Sequence, residues 1–120
     1  MAGIVNAGKA LMLDGFAATV THVSLHTSDP STSGTGEVTG GSPAYSRETL
    51  SWAASSGGSK ATNAAIVFDV PASTTITHLG YWSAATGGTY YGSRALDASQ
   101  TFATQGTYTI ASGSLTESIA

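Results

Sequence analysis

Apolar residues recur at two different periods along this 120-residue chain, and the change between them falls near Thr19. Before it, Ile4, Val5, Ala7, Leu11, Met12 and Phe16 follow three- and four-residue spacing, the pattern of one helix face. That spacing predicts a helix over about residues 4–16, with Gly15 as its stop signal. A helix this short is marginal alone in water, so its apolar stripe is expected to dock on a sheet or a neighbouring subunit. From Thr19 the period becomes two. Val23 and Leu25 share one face of a strand over residues 19–27, and Val20, His22, Ser24 and His26 share the other. Residues 44–54 predict a second strand with Leu50 and Trp52 pointing inward. The polar stretch between them, residues 28–43, exceeds the usual ~4–6 residues of a connection. We expect it to be a contact loop ordered against a neighbouring subunit, and replaceable by a Gly-Ser linker without loss of the fold.

The remaining segments keep the strand period. Residues 55–59 read as a turn and 60–63 as a short edge strand. Ile66, Phe68 and Val70 line one face of a strand that Pro71 ends. Residues 74–82 alternate cleanly, and Ala84–Gly88 turns them into residues 89–94 as a hairpin. Gly80 and Gly92 stand where a strand would carry a side chain, which predicts a bulge or a close backbone approach. Residues 101–103 and 106–111 complete the strands, with residues 115–120 as a tail. The pattern predicts an all-β protein: one jelly-roll-like β-sandwich domain spanning residues 1–120, with seven or eight short strands and a short N-terminal helix.

Composition narrows the class. Charged residues are 9% of the chain against ~25% in ordinary domains, and the formal net charge is −3. No basic stripe is present to displace counterions from phosphates, so no nucleic acid is expected as partner, and no anionic membrane either. There are no cysteines, which removes disulfides and thiolate metal sites. Gly, Ala, Ser and Thr fill more than half the chain, leaving few residues for a core. Such a thin core favours a homo-oligomer, in which a partner supplies apolar burial. Residues 1–9 lack a charged segment ahead of an apolar run, so no secretory signal is expected.

Motifs that would carry chemistry fail on spacing. Gly3–Ala10 fits a phosphate-binding loop except at Ala10, where Ser or Thr would hold magnesium, and no strand precedes it. His22 and His26 lie about 13 Å apart in an extended strand, too far to share one zinc comfortably, and read as partly exposed strand histidines. No serine sits in a nucleophile elbow, and the seven carboxylates are scattered in sequence. No catalytic residue, cofactor or metal is therefore assigned. Tyr and Trp are a large share of the bulky side chains and suit core, subunit interface or sugar stacking. Asp29, Glu37, Tyr45, Arg47, Tyr81 and Tyr91 are the candidate interface or ligand contacts.

Six segments, Leu11–Asp14, Val23–Pro30, Glu37–Arg47, Ser51–Ala54, Phe68–Pro71 and Gly80–Gly88, together resemble small virion proteins of the tail-fibre type from tailed bacteriophages of actinobacteria. The resemblance runs from about Asn6 to Ile110. It implies a non-enzymatic structural protein of the virion, made in the host cytoplasm, trimeric or repeated by symmetry. The implied partners are other virion proteins, with host-surface carbohydrate as a further candidate. A capsid decoration protein forming trimers on the head lattice is the alternative, and a small glycan-binding or glycan-hydrolysing module the third.

Overall fold

Leu13, Phe16 and Val20, three and four residues apart, bind the N-terminal helix to the sheets. In a computed structural model, which describes residues 4–118, α1 spans Asn6–Thr19. Leu13 and Val20 are buried. Phe16 meets the rings of Trp52 and Tyr81 edge-on, at centroid distances of 6.0 and 5.6 Å. Of the expected stripe only Phe16 docks in this way: Val5, Leu11 and Met12 are 70%, 75% and 45% exposed. Nor does Gly15 stop the helix. A mid-helix glycine costs about 1 kcal/mol, which the aromatic contacts of Phe16 one residue later can offset, and the Val20 N–H still donates to Phe16 O at 2.7 Å. Gly3, where the phosphate-loop-like stretch begins, lies outside the described residues, and from Asn6 onward that stretch is helix.

Eight strands follow: β1 His22–His26, β2 Glu48–Thr49, β3 Ser59–Ala61, β4 Ile66–Val70, β5 Thr74–Trp82, β6 Tyr90–Phe102, β7 Gly106–Ile110 and β8 Thr116–Ser118. A four-stranded antiparallel sheet runs in the order β2-β1-β5-β6, and β4-β7 and β3-β8 form two-stranded sheets. The fold is the all-β sandwich with an N-terminal helix that the pattern predicts. Its core joins Val23, Leu25, Ile76, Leu79 and Tyr81 of the larger sheet to Ile66, Phe68, Val70 and Ile110 of the β4-β7 pair. β4 carries its apolar residues as expected, with Ile66, Phe68 and Val70 buried and Val67 exposed.

Three segments differ from expectation, each because hydrogen bonding and burial are shared out differently. Residues 44–54 form only the two-residue β2, since the free edge of β1 beyond Val23 is already occupied. There Val38 N–H donates to Leu25 O and Thr27 N–H to Gly36 O, both at 3.0 Å, and His26 bridges to Glu37. β6 is one strand of 13 residues rather than two short ones, held by its ladder to β5. The expected tail instead begins with buried Leu115 and continues as β8, which pairs with β3 through Lys60↔Glu117.

Both strand glycines do what their missing side chains suggest. A Cβ on Gly80 would lie 2.5 Å from Ser24 Oγ and 2.6 Å from His26 Nε2, so only glycine lets β1 and β5 pair here. Gly92, at φ +146°, sits at a register shift in the β5–β6 ladder, where one extra β6 residue forms a bulge.

Candidate functional site

Residues 28–47 cross one end of the larger sheet, and their polar side chains converge on Arg47. Its Nε–H and one Nη2–H donate to the two carboxylate oxygens of Glu37, each at 3.0 Å, a bidentate pairing. Its Nη1 donates to the carbonyls of Ala84 and Gly87 at 3.0 and 2.9 Å. The guanidinium also lies over the Trp82 ring, 3.7 Å from its centroid, a cation–π contact. Arg47 thus ties the 28–43 loop to the β5–β6 turn. With side-chain exposures of 9% for Arg47 and 22% for Glu37, the pair is screened by little water.

Tyr45 completes the cluster. Its hydroxyl donates to Glu37 Oε2 at 2.8 Å and accepts the Leu25 N–H at 3.0 Å. It therefore stands in for a neighbouring strand on the β1 edge, and burial pushes its phenol pKa up. Beneath the loop, Trp82 Nε1–H donates to Ser24 Oγ at 2.8 Å, and Ser24 lies 2.6 Å from His26 Nε2. His26 Nδ1 is 2.8 Å from Thr35 O. A carbonyl can only accept, so Nδ1 carries the proton and Ser24 donates to Nε2. His26 is fully buried, which corrects the expectation of a partly exposed histidine. Burial holds its pKa below the ordinary value.

A Ser–His contact of 2.6 Å has the spacing of a nucleophile and its base. Here both side chains are 0% exposed and Gly80 closes over them, so no substrate can reach the hydroxyl. The chain Trp82–Ser24–His26–Thr35 instead fastens the loop to the sheet. Tyr90 adds its ring against Trp82 at 5.2 Å and donates its hydroxyl to Ser31 O at 3.1 Å.

Of the six sequence candidates, Glu37, Tyr45 and Arg47 come together and line a cleft of about 340 Å³ with Val38, Thr39 and Thr86. Asp29 lies apart, exposed, accepting the Ser31 N–H at 2.8 Å as a turn opener. Tyr81 is buried beneath α1 and donates to Glu117 Oε2 at 2.5 Å, a carboxylate that also pairs with Arg94. Tyr91 stands exposed on β6. Sequence reasoning missed the roles of Trp82, Ser24, His26 and Thr35. Gly80 was their only advance signal, because it marked the place where side chains from β1 crowd in. Among the described residues, no three His, Cys, Asp or Glu side chains gather as a metal site, and no helix is long and apolar enough to cross a membrane.

Residues 11–118 match the family model described as Podophage GP4 fiber I protein gp80. No curated protein matches the chain.

Proposed function

The chain belongs to this phage fibre family, and from that membership we propose that it is a non-enzymatic structural component of a tailed-phage fibre. In this reading it works as a homo-oligomer, with a trimer as the simplest form, and it offers the Arg47-clamped loop as a contact surface toward neighbouring virion subunits. The observation that carries the proposal is the spending of four Arg47 N–H donors inside the protein. A loop rich in Gly, Ser and Thr would ordinarily lose much conformational entropy on binding. Clamped in advance, it presents a preformed surface and that cost falls. Asp29 and the rim of the cleft, Thr39 and Thr86, lie on the outer side of this platform and supply its contacts. Host-surface carbohydrate is a second occupant for the same cleft, since Thr39 and Thr86 on its rim offer exposed hydroxyls.

The test places arginine at exposed loop positions that the clamp does not use. Thr32→Arg and Thr39→Arg should fold normally and fall to well below wild-type copy number in purified virions. Normal incorporation of both variants would overturn the contact-loop reading. Copy number in the wild-type particle separates a few-copy fibre from a lattice-wide head protein.

A further inference from the structure

β6 leaves its ladder for four residues, and a cleft lies beside the place where it does. Ala95 pairs with His78 and Gln100 with Ile76, so residues 96–99 stand opposite Thr77 alone and have no partner on β5. On a regular strand the adjacent Leu96 and Asp97 would point to opposite faces of the sheet. Here both line one cleft of about 360 Å³ between β6 and β7. Re-aiming a side chain in this way is the use that bulges have beside binding sites. The floor of the cleft is aliphatic: Leu79, Ile110 and Leu115 are buried, and Leu96 packs on the same core. The lining carries one ionised group, Asp97, with the half-buried Tyr108 across from it on β7. Burial, and after it the Asp97 carboxylate, pushes the Tyr108 phenol pKa up, so carboxylate and ring are close. Among the described residues no cation pairs with Asp97, whereas Glu37, Asp14 and Glu117 are each held by one.

We propose that this cleft receives an arginine or lysine side chain of a partner protein, its aliphatic stem on Leu96, Ile110 and Leu115 and its charged head at Asp97 beside the Tyr108 ring. Charge complementarity selects this occupant. A wholly apolar ligand would take water from Asp97 and give nothing back, and an anion would be repelled. A basic side chain lays its stem along apolar surface and keeps its charge at the rim. The neighbouring ring adds a cation–π contact to the head. A sugar finds few hydrogen-bonding groups on a floor of leucine and isoleucine. Arg47, Lys60 and Arg94 are engaged within the chain, and Lys9 does not line the cleft, so no cation of the same chain fills the place. The side of β7 away from β4 has no strand partner among the described residues. An extended segment bearing the basic residue therefore also finds main-chain groups to pair with. This surface is separate from the Arg47-clamped loop and does not depend on it.

The probe is an acetylated, amidated pentapeptide with arginine at its centre and alanine elsewhere, titrated into the protein while backbone amide chemical shifts are followed. Amides of residues 96–99 and 108–111 should shift saturably. The same peptide with citrulline, which keeps the shape and loses the charge, should bind about fivefold more weakly or worse. Asp97→Asn should bring the arginine peptide down to the affinity of the citrulline peptide, with the rest of its spectrum as in wild type. The proposal is overturned by an absence of saturable shifts at the cleft, by equal affinity for the two peptides, or by full affinity in Asp97→Asn. Tighter binding of methyl glucoside than of the arginine peptide would also overturn it and make the cleft a sugar site. Thr32→Arg and Thr39→Arg, the variants that test the loop, should bind the peptide as wild type does, so the two readings fail separately.

Discussion

The 28–43 loop and α1 exchange the roles that their sequences suggest. The loop is polar, glycine-rich and long enough to pass for a free arm, yet it is tied down from several directions. Arg47 holds Glu37, His26 reaches toward Thr35 O, Tyr90 donates to Ser31 O, and Val38 is buried in the core. The helix has the apolar stripe of a docked element, yet Leu11 is 75% exposed. Polarity alone therefore says little about which segment is held. What decides it is whether the backbone groups of a neighbour need partners. The β1 edge beyond Val23 would be left with unmet N–H and C=O groups without residues 36–38 and Tyr45, and a buried unmet group costs about as much as a lost hydrogen bond or more. No such requirement acts on the outer side of α1.

This contrast predicts that removing a polar clamp harms the fold far more than placing a charge on an apolar helix face. Arg47→Ala leaves the Glu37 carboxylate and the Ala84 and Gly87 carbonyls without their donor, and should cost about 3 kcal/mol in a denaturant titration. By the same reasoning the expected Gly-Ser replacement of the loop is corrected: it would remove Val38 from the core and Glu37 from Arg47, and the protein should unfold or melt far earlier. Gly34→Ala comes next. Gly34 has φ +74° and a Cβ there would sit 2.8 Å from the Trp82 ring, so about 1–3 kcal/mol should be lost.

His26 gives a pH-dependent handle on the loop alone. Its pKa in the folded protein lies below the ordinary 6.5, chiefly through burial, with Arg47 and His78 acting in the same direction and Glu37 and the Thr35 hydrogen bond opposing. The unfolded chain then takes up a proton first as pH falls. This contribution to stability is complete above about 6.5 and declines as pH drops from there toward the folded value. Melting temperature should fall between pH 7 and pH 5 in the wild type, with a flatter profile in His26→Gln. Equal slopes in the two proteins would show that His26 is not the group responsible. At the small end, Leu11→Asp should change the stability of the dilute protein by about 0.5 kcal/mol or less, as expected for an exposed helix position.

How much of this was legible in the sequence follows from the same physics. β4 could be read because one face is buried and Ile66, Phe68 and Val70 alternate accordingly; β5 could be read as a strand but not by face, since Ile76 and Leu79, of opposite parity, are both buried across a register shift in its ladder. β6 could not. Its middle, Ala95-Leu-Asp-Ala-Ser-Gln-Thr101, is largely exposed and spans a register shift at which residues 96–99 have no partner on β5, which leaves no hydrophobic period to detect. Glu37, Tyr45 and Arg47 were each identifiable as candidates. Their convergence was not, because it depends on the loop pairing with β1 and on the position of the β5–β6 turn, and neither leaves a local trace. α1 was visible as a helix, but of its predicted stripe only Phe16 docks, since apolar residues spread around much of the helix and periodicity cannot choose among them.

Hydrogen–deuterium exchange at two protein concentrations tests this division between a held loop and a half-bare helix most directly. The amides of Thr27, Val38 and Tyr45, which donate to Gly36, Leu25 and Gly40, should be protected to a similar degree at both concentrations. Amides of α1, which buries only Leu13 of its own residues, should exchange faster than these. A loop that exchanges freely in dilute protein, or faster than α1, would contradict the division.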